Sequence, residues 1–468
     1  MVFSSSGFLF LFLPAVFIGY VPVSRVCKKL RNAYLFLASM LFYCWNGTRY
    51  AALLLFSVGA NYLFARLLER REKSGGKRVV LLLALGVNLG LLGYYKYTDF
   101  FLSNLSLVSG RAVPLREIVL PLGISFYTFQ AMSYLIDVYR GGPALRNPVD
   151  LGLYITFFPQ LIAGPIVRYG QIRERLSVRV TTRDDFFAGM QRFLIGLCKK
   201  VILANHLGEL ADRVFSGRMP GQNSVLLLWL AAVAYTLQLY YDFSGYSDMA
   251  IGLGRLFGFS FPENFNYPYA ASSISDFWRR WHMTLSGWFR DYVYIPLGGS
   301  QRGSVSHVFN LLVVWLLTGL WHGAAWQFVF WGFVYFLLLV IEKYLLPPAV
   351  LHSRVGAAVY RVFTLLCVCL LWVVFRADDF PAAVRFISSM FGLRGLEIFN
   401  TFGLFQAREY AFFLLAGLLF AFPVFPVLEK KSPKLFNAVY TGVLFFGTLL
   451  SIAFILRETY NPFLYFQF

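Results

Sequence analysis

The chain has 468 residues, of which 58% are hydrophobic and 14% are charged. Because soluble domains carry about 25% charged residues, this composition excludes a soluble enzyme and a disordered protein, and it predicts a polytopic membrane protein. The net charge of +19 is typical of cytoplasmic loops that face anionic membrane lipid. Since the basic residues are scattered between apolar stretches, no nucleic-acid partner is predicted.

The first apolar run, from Phe8 to Val23, precedes every basic residue of the chain. A cleavable signal peptide begins with positive charge, so this run predicts a retained first span. The first basic residue, Arg25, follows it, which predicts an N-terminus outside the cytoplasmic membrane. The basic loops 66–78 and 166–183, with the nearly neutral loop 98–116 between them, agree with that orientation.

Apolar segments continue along the whole length and predict about 11 to 13 membrane-associated helices, at ~20 residues for a full span. Several segments are shorter, so we expect some helices to be tilted, re-entrant, interfacial or buried in the bundle. The predicted fold class is an all-α polytopic membrane protein with one domain over 1–468. The segments are 8–24, 33–45, 50–65, 79–97, 117–138, 151–165, 186–204, 225–241, 308–341, 357–375, 411–428 and 436–456.

Two carboxylates, Asp242 and Asp248, flank a predicted Ser-Gly-Tyr turn in YYDFSGYSDM. They either cap or pair with arginines of neighbouring helices, or they bind a metal. Because calcium and magnesium sites usually need more carboxylates than two, no metal site is predicted here.

Residues 261–299 form neither an apolar span nor an ordinary loop, because they combine many aromatic residues with charged ones. Ser275 is a predicted helix N-cap, and Asp276 suits the first helical turn. Helical spacing places two sets of residues on different faces. One set is Phe277, Trp281, Leu285 and Trp288, and the other is Arg279, His282 and Ser286. The helix is either an interfacial membrane anchor or the wall of a cavity whose polar face meets a substrate.

The next segment, Leu311 to Ile341, has 31 residues without a single Asp, Glu, Lys or Arg. A straight helix of that length would reach about 46 Å, whereas the hydrocarbon core is ~30 Å thick. We therefore expect the run to break or bend, and the small residues Gly323, Ala324, Ala325 and Gly332 are the permissive places. His322 adjoins that break, close to the predicted bilayer midplane. An ionisable residue at that depth is a functional-site hypothesis, and the alternative is a neutral histidine bonded to a helix carbonyl.

Tryptophan is concentrated in the same part of the chain, since seven of the ten lie between residues 278 and 331. An aromatic belt would spread them over many helix ends, so their concentration around two histidines indicates a lined pocket. The seven are Trp278, Trp281, Trp288, Trp315, Trp321, Trp326 and Trp331.

Histidine is the commonest general base. In a tunnel, His322 could take the proton from a hydroxyl as it attacks a thioester carbonyl, while His282 orients it, polarises the carbonyl or shuttles the proton. The G-x-S-x-G, P-loop and H-E-x-x-H motifs are absent, which disfavours a serine hydrolase, a nucleotide hydrolase and a zinc protease. Two other classes stay open: a transporter or flippase of lipid-linked sugar that uses the histidines as a proton relay, and a non-catalytic scaffold of a polysaccharide export complex.

Five motifs carry a resemblance that covers essentially the whole chain: FFPQLIAGPIVR, YYDFSGYSDMAIGLGRLFGF, NFNYPYAASSISDFWRRWHMTLSGWFRDYVYIPLGG, TGLWHGAAWQFVFWG and the terminal NPFLYFQF. The chain resembles the membrane-bound O-acyltransferases, and within them the bacterial alginate O-acetyltransferase type. The resemblance implies a helical bundle with a central passage in the bacterial inner membrane. It also implies that His322 is the invariant family histidine and His282 the second one.

The resemblance further implies transfer of an acetyl group across the membrane, as in exopolysaccharide O-acetylation. The donor would be cytoplasmic acetyl-CoA or a related acyl thioester, acting as a substrate with no permanently bound cofactor. The receiver would be an extracytoplasmic SGNH-like partner protein that then modifies a polysaccharide. The acceptor polysaccharide and the side of the C-terminus stay open.

The candidate site therefore has catalytic and substrate-binding parts. His322 and His282 are the candidate catalytic residues. The arginines could form a basic mouth for the coenzyme A phosphates or could anchor lipid, and both hypotheses stay open. The candidate substrate-binding residues are Asn264, Asn266, Asp276, Trp278, Arg279, Arg280, Trp281, Arg290, Trp321 and Trp326.

Overall fold

A computed structural model describes residues 1–45, 47–71, 74–217, 223–347, 353–457 and 460. These residues form helices joined by turns and loops, with no strand among them, which confirms the predicted all-α class. The terminal motif NPFLYFQF, at 461–468, lies outside the described residues.

The chain divides into two compact units, the first of which is Met1–Phe193 with Ser247–Pro262. A buried polar network contributes to this unit. Arg179, counted above as part of a basic loop, is 5% exposed and donates to the Asn32 side chain, which in turn donates to Asp150. The helices that lie wholly in this unit are α1 (Leu13–Val26), α2 (Arg31–Cys44), α3 (Ala51–Arg70), α4 (Ser74–Leu92), α5 (Thr98–Ser109), α6 (Ile124–Tyr139), α7 (Pro148–Thr156), α8 (Phe158–Leu161) and α9 (Tyr169–Ser177).

The second unit is Leu194–Tyr246 with Glu263–Phe468, and it contains both candidate catalytic histidines. Two helices, α10 (Arg183–Cys198) and α12 (Val225–Leu256), hold residues of both units. The helices that lie wholly in the second unit are α11 (Asn205–Phe215), α13 (Ile274–Arg280), α14 (Met283–Phe289), α15 (Ser304–His322), α16 (Trp326–Tyr344), α17 (Arg354–Arg376), α18 (Phe380–Met390), α19 (Thr401–Glu409), α20 (Ala411–Phe420), α21 (Val424–Lys431) and α22 (Pro433–Arg457).

Eight helical stretches of the described residues are long and apolar enough to cross a membrane. A ninth arises if α19 and α20, which meet at an angle of 56°, form one broken span. The segment 33–45 gives the 14-residue α2, and the segment 117–138 gives the 16-residue α6, of which thirteen residues are buried. The eight stretches are Phe8–Val26, Thr48–Arg70, Gly75–Ser109, Val225–Leu256, Ser304–His322, Trp326–Tyr344, Arg354–Arg376 and Pro433–Arg457.

The turn predicted between Asp242 and Asp248 is wrong, because both residues lie inside the continuous helix α12. Each carboxylate is paired with a cation of the preceding part of the chain. Lys200 Nζ lies 2.6 Å from Asp242, and Arg192 Nη2 lies 2.7 Å from Asp248. These ion pairs support the structural alternative for the two aspartates, in which they join neighbouring helices.

Candidate active site

The segment that precedes His282 is held by an N-cap and by a carboxylate from another helix. The N-cap of α13 is Ser273, whose hydroxyl accepts from Asp276 N at 3.2 Å, so the predicted cap at Ser275 is wrong. Ser275 lies inside the first turn, where its backbone N–H donates to Glu342. Glu342, near the end of α16, also accepts from Ile274 N at 2.8 Å. A carboxylate at a helix N-terminus satisfies otherwise unpaired N–H groups, so Glu342 ties α13 to α16.

The single helix predicted across residues 275–288 is also wrong, because the chain breaks at His282. This residue has φ 43° and ψ 52°, in the left-handed region, and it separates α13 from α14. Such a backbone is uncommon outside glycine and costs on the order of 1–3 kcal/mol when a site holds it. The four apolar residues assigned to one helical face are nevertheless buried. Phe277 lies on α13, Trp281 directly follows it, and Leu285 and Trp288 lie on α14.

Asn264 holds His282 in place and determines its tautomer. The carboxamide oxygen of Asn264 accepts from the backbone N–H of Thr284 at 3.3 Å and from its hydroxyl at 2.8 Å. That oxygen also lies 3.1 Å from His282 Nδ1, so Nδ1 must carry the proton that it donates. The buried Nε2 is then an acceptor with no partner among the described residues. Burial, and secondarily the nearby His322, lower the pKa of His282 well below its usual value.

The predicted break is confirmed at Gly323–Ala325, since α15 ends at His322 and α16 begins at Trp326, whereas Gly332 lies inside α16 without a break. The two helices pack closely because glycines face each other across the contact. A Cβ on Gly332 would lie within 3.0 Å of the Trp315 carbonyl oxygen. A Cβ on Gly319 would lie within 3.0 Å of the Phe328 carbonyl oxygen. This close approach places His322, which is 7% exposed, beside the first turns of α16.

Aromatic rings connect the two histidines. The Trp321 ring lies 5.9 Å from His282 and 5.0 Å from His322, measured between ring centroids. His322 also contacts Trp331 and Phe375, each at 5.3 Å and nearly edge to face. We call these five residues, His282, Trp321, His322, Trp331 and Phe375, the histidine cluster. The cluster therefore surrounds both imidazoles with aromatic rings and leaves them little exposed.

Two contacts of the histidines were missed at the sequence level. Phe375, on α17, packs against His322, and Phe243, on α12, lies 4.6 Å from His282. Both lie in or beside apolar segments, for which the sequence predicts only a membrane-spanning helix. Because such helices are apolar on most sides, their sequences carry no signal for which residue faces the site. The one available hint was the high aromatic content of the chain, at 19%.

The predicted tryptophans divide into buried and exposed ones. Trp278 packs edge to face on Trp315, Trp331 and Tyr335, at 4.8 to 5.6 Å. Trp281 is 3% exposed and lies 5.0 Å from Trp372. Trp326, in contrast, is 63% exposed at the first residue of α16. Trp321 therefore contacts both histidines. Trp278 packs instead against Trp331, which contacts His322.

The predicted polar residues lie mostly toward the surface. Arg280 Nε donates to Asp276 at 2.9 Å, and Arg290 Nε donates to Asp291 at 2.7 Å. Arg279, Arg290 and Asn266 are exposed. Of the ten candidate substrate-binding residues, Asn264 and Trp321 are the two with a described contact to a histidine.

Comparison with known proteins places the site within a family. The model of the MBOAT, membrane-bound O-acyltransferase family matches residues 145–375, which include both histidines. A protein named probable alginate O-acetylase AlgI, from Pseudomonas putida, is 40% identical over the full length of both chains. A peptidoglycan O-acetyltransferase of Helicobacter pylori is 36% identical over 85% of this chain and 81% of its own. A teichoic acid D-alanyltransferase of Bacillus subtilis is 31% identical over 49% of this chain and 61% of its own.

These similarities decide between the three classes that the sequence left open. The relatives are named as acyl-transferring proteins, and one of them matches the chain from end to end. The transporter and scaffold alternatives are therefore set aside. The chain belongs to the membrane-bound O-acyltransferase family and is an O-acyltransferase.

Proposed function

We propose that the protein transfers an acetyl group from a cytoplasmic acyl thioester, of the acetyl-CoA type, to a hydroxyl group outside the membrane. The final acceptor would be a polysaccharide, as in alginate-type O-acetylation. The full-length similarity to an alginate O-acetylase supports the acetyl group and the polysaccharide. The observation that carries the proposal is the pair of buried histidines joined through Trp321.

In the proposed reaction, His322 is the general base. Its neutral imidazole accepts the proton of the acceptor hydroxyl as the hydroxyl oxygen attacks the thioester carbonyl carbon. The new C–O bond forms, the C–S bond breaks, and the proton passes from His322 to the leaving sulfur as a thiol. General base catalysis of this kind typically contributes ~10² to 10⁴-fold. His322 is buried against the rings of Trp331 and Phe375, which shield the proposed base from bulk water.

His282 would position the acceptor hydroxyl. Because the Nδ1–H of His282 donates to Asn264, the unprotonated Nε2 can accept a hydrogen bond from a hydroxyl that lies between the two histidines. The left-handed backbone of His282 is a strained geometry that the Asn264 contacts maintain, and such strain is concentrated at functional sites. Removal of His282 should therefore weaken acceptor binding and slow the reaction.

The direction of transfer follows from the predicted orientation. We propose that the protein lies in the bacterial inner membrane with its N-terminus outside. Arg279, Arg280 and Arg290 would then form a basic mouth for the phosphates of the donor. An SGNH-like extracytoplasmic protein would receive the acetyl group and pass it to the polysaccharide. The distribution of basic loops supports this orientation.

The test is acetyl transfer from a labelled thioester by the purified protein in detergent or liposomes. We expect His322→Gln to lose at least 10²-fold of the rate and His282→Gln to lose less. The matched control is His307→Gln, because His307 lies on the same helix, about 22 Å from His322 along its axis. Full transfer by a folded His322→Gln variant would refute the base assignment, whereas equal loss in His307→Gln would mean that the assay reports folding alone.

A further inference from the structure

Buried hydrogen-bond donors without acceptors lie next to the histidine cluster. The Nε1–H of Trp331, the hydroxyl of Tyr335 and the Nε1–H of Trp278 are all buried, and none has a hydrogen-bond partner among the described residues. Trp331 and Tyr335 are 0% exposed. An unpaired buried donor destabilises the fold, and most buried polar groups in proteins are paired. Three such donors together therefore need an explanation.

The three side chains form one group. Trp331 and Tyr335 are four residues apart on α16, hence on the same face of the helix, and their rings lie 4.9 Å apart. Trp278, on α13, lies 5.6 Å from Trp331 and 4.8 Å from Tyr335. Trp331 in turn lies 5.3 Å from His322. The group of three donors therefore begins next to His322, at Trp331, and extends along α16 to Tyr335.

The chemistry of these groups defines the ligand that would suit them. An indole N–H can only donate, so the two tryptophans require an acceptor atom. Their neighbours here are aromatic rings, which suit a neutral, mostly apolar ligand better than a phosphate. A carbonyl oxygen is such an acceptor. A thioester donor of the coenzyme A type carries one at the reacting carbon and others in the amides of its pantetheine arm.

We propose that Trp278, Trp331 and Tyr335 form the binding site for the carbonyl oxygens of the acyl thioester, and that Trp331 binds the reacting carbonyl. This inference rests on the proposed function, since it assigns the donor side of the same reaction. As the hydroxyl attacks, the electron pair of the C=O bond moves onto oxygen, and the Trp331 N–H stabilises the negative charge. When the C–S bond breaks, that pair re-forms the carbonyl of the product ester. Preorganised donors of this kind contribute about 10²–10³-fold in enzymes whose oxyanion donors have been removed.

The most direct variant is Tyr335→Phe, which removes one oxygen atom and keeps the ring. If the hydroxyl has no protein partner, its loss leaves the Tm unchanged or higher, because a buried unpaired polar group disappears. If the hydroxyl binds the donor, kcat/KM for the thioester falls by roughly tenfold to a hundredfold, while KM for the acceptor is unchanged. The matched control is Tyr241→Phe, since the Tyr241 hydroxyl already donates to the Gly417 carbonyl at 2.5 Å. There we expect the reverse, a lower Tm with a normal kcat/KM.

A pair of inert donor analogues tests Trp331 itself. The acetonyl thioether of coenzyme A keeps a carbonyl, and the isobutyl thioether, in which a methyl group replaces the carbonyl oxygen, has the same number of heavy atoms in a similar branched shape. The wild-type protein should bind the acetonyl compound roughly tenfold or more tightly, and Trp331→Phe should lose that preference. An equal preference in the wild type and the variant would overturn the assignment of Trp331.

Three results would separate this inference from the proposed function. Unchanged donor kinetics in both Tyr335→Phe and Trp331→Phe, with His322→Gln inactive, would overturn the carbonyl site alone and would leave ordered water as the partner of the donors. A higher KM for the acceptor, with donor kinetics unchanged, would also overturn it. Normal transfer by His322→Gln would instead refute the proposed base.

Discussion

Replacement of Gly332 by alanine tests whether the close packing of α15 and α16 sets the position of His322. An added Cβ would lie less than 3.0 Å from the carbonyl oxygen of Trp315, whereas ordinary contact begins at 3.4 Å. The obstacle is backbone, so no side-chain rotation relieves it. Helix α16 must therefore move away from α15, and it takes Trp331, which adjoins Gly332, away from His322.

The size of the effect follows from these distances. Overpacking a close contact costs about 1–3 kcal/mol, and the better helix propensity of alanine returns about 1 kcal/mol. We therefore expect a modest decrease in Tm. The effect on rate should be larger, because a displacement of about 1 Å at a reaction centre can cost ~10²-fold. We expect kcat/KM to fall by roughly 10- to 100-fold in a protein that is still folded.

The measurement is thioester-to-hydroxyl transfer beside thermal melting, both in the same detergent. The matched control is Gly442→Ala on α22, where an added Cβ meets nothing within 4 Å. That variant should keep its rate and should gain up to about 1 kcal/mol from helix propensity. A Gly332→Ala variant with the wild-type rate would refute the claim that the α15–α16 contact positions His322, the proposed base.

Three further outcomes are expected. Asn264→Leu should lower both Tm and transfer rate, because three hydrogen bonds to its oxygen, each worth about 1 kcal/mol, are lost; the exposed Asn437→Leu should change neither. Lys200→Met should cost about 3–5 kcal/mol by removing the cation that lies 2.6 Å from the buried Asp242, and adding Asp242→Leu should recover much of the Tm. Arg279→Ala should weaken thioester binding severalfold at low salt and less at high salt, whereas affinity equal to wild type at every salt concentration would favour a lipid anchor.

The break beside His322 shows how far sequence reasoning reached. A run of 31 residues without charge is too long for one straight span, and the small residues mark where it can bend. The structure ends α15 at His322, as predicted. Both signals are local, because chain length and the absence of side-chain bulk act within the segment itself.

His282 shows the opposite case. Helical periodicity placed it within one amphipathic helix, and its backbone instead adopts φ 43°. The competing interaction is tertiary, since the Asn264 carboxamide accepts from both His282 and Thr284 and stabilises the break. Asn264 lies 18 residues earlier, so no local pattern connects the two.

By itself, then, the sequence determined the membrane class, the helical fold, the family and the two candidate catalytic histidines. Composition, the lengths of the hydrophobic segments and long motifs are properties of the linear sequence. They can be recognised without knowledge of how the helices pack. Only the tertiary structure decided which faces of the apolar helices meet the site. It brought Phe375 to His322 and left the donors of Trp331 and Tyr335 without acceptors in the described part of the chain. The physical reason is that a helix apolar on all sides has no sequence signal for its rotation, which is set by the shapes of the helices packed around it.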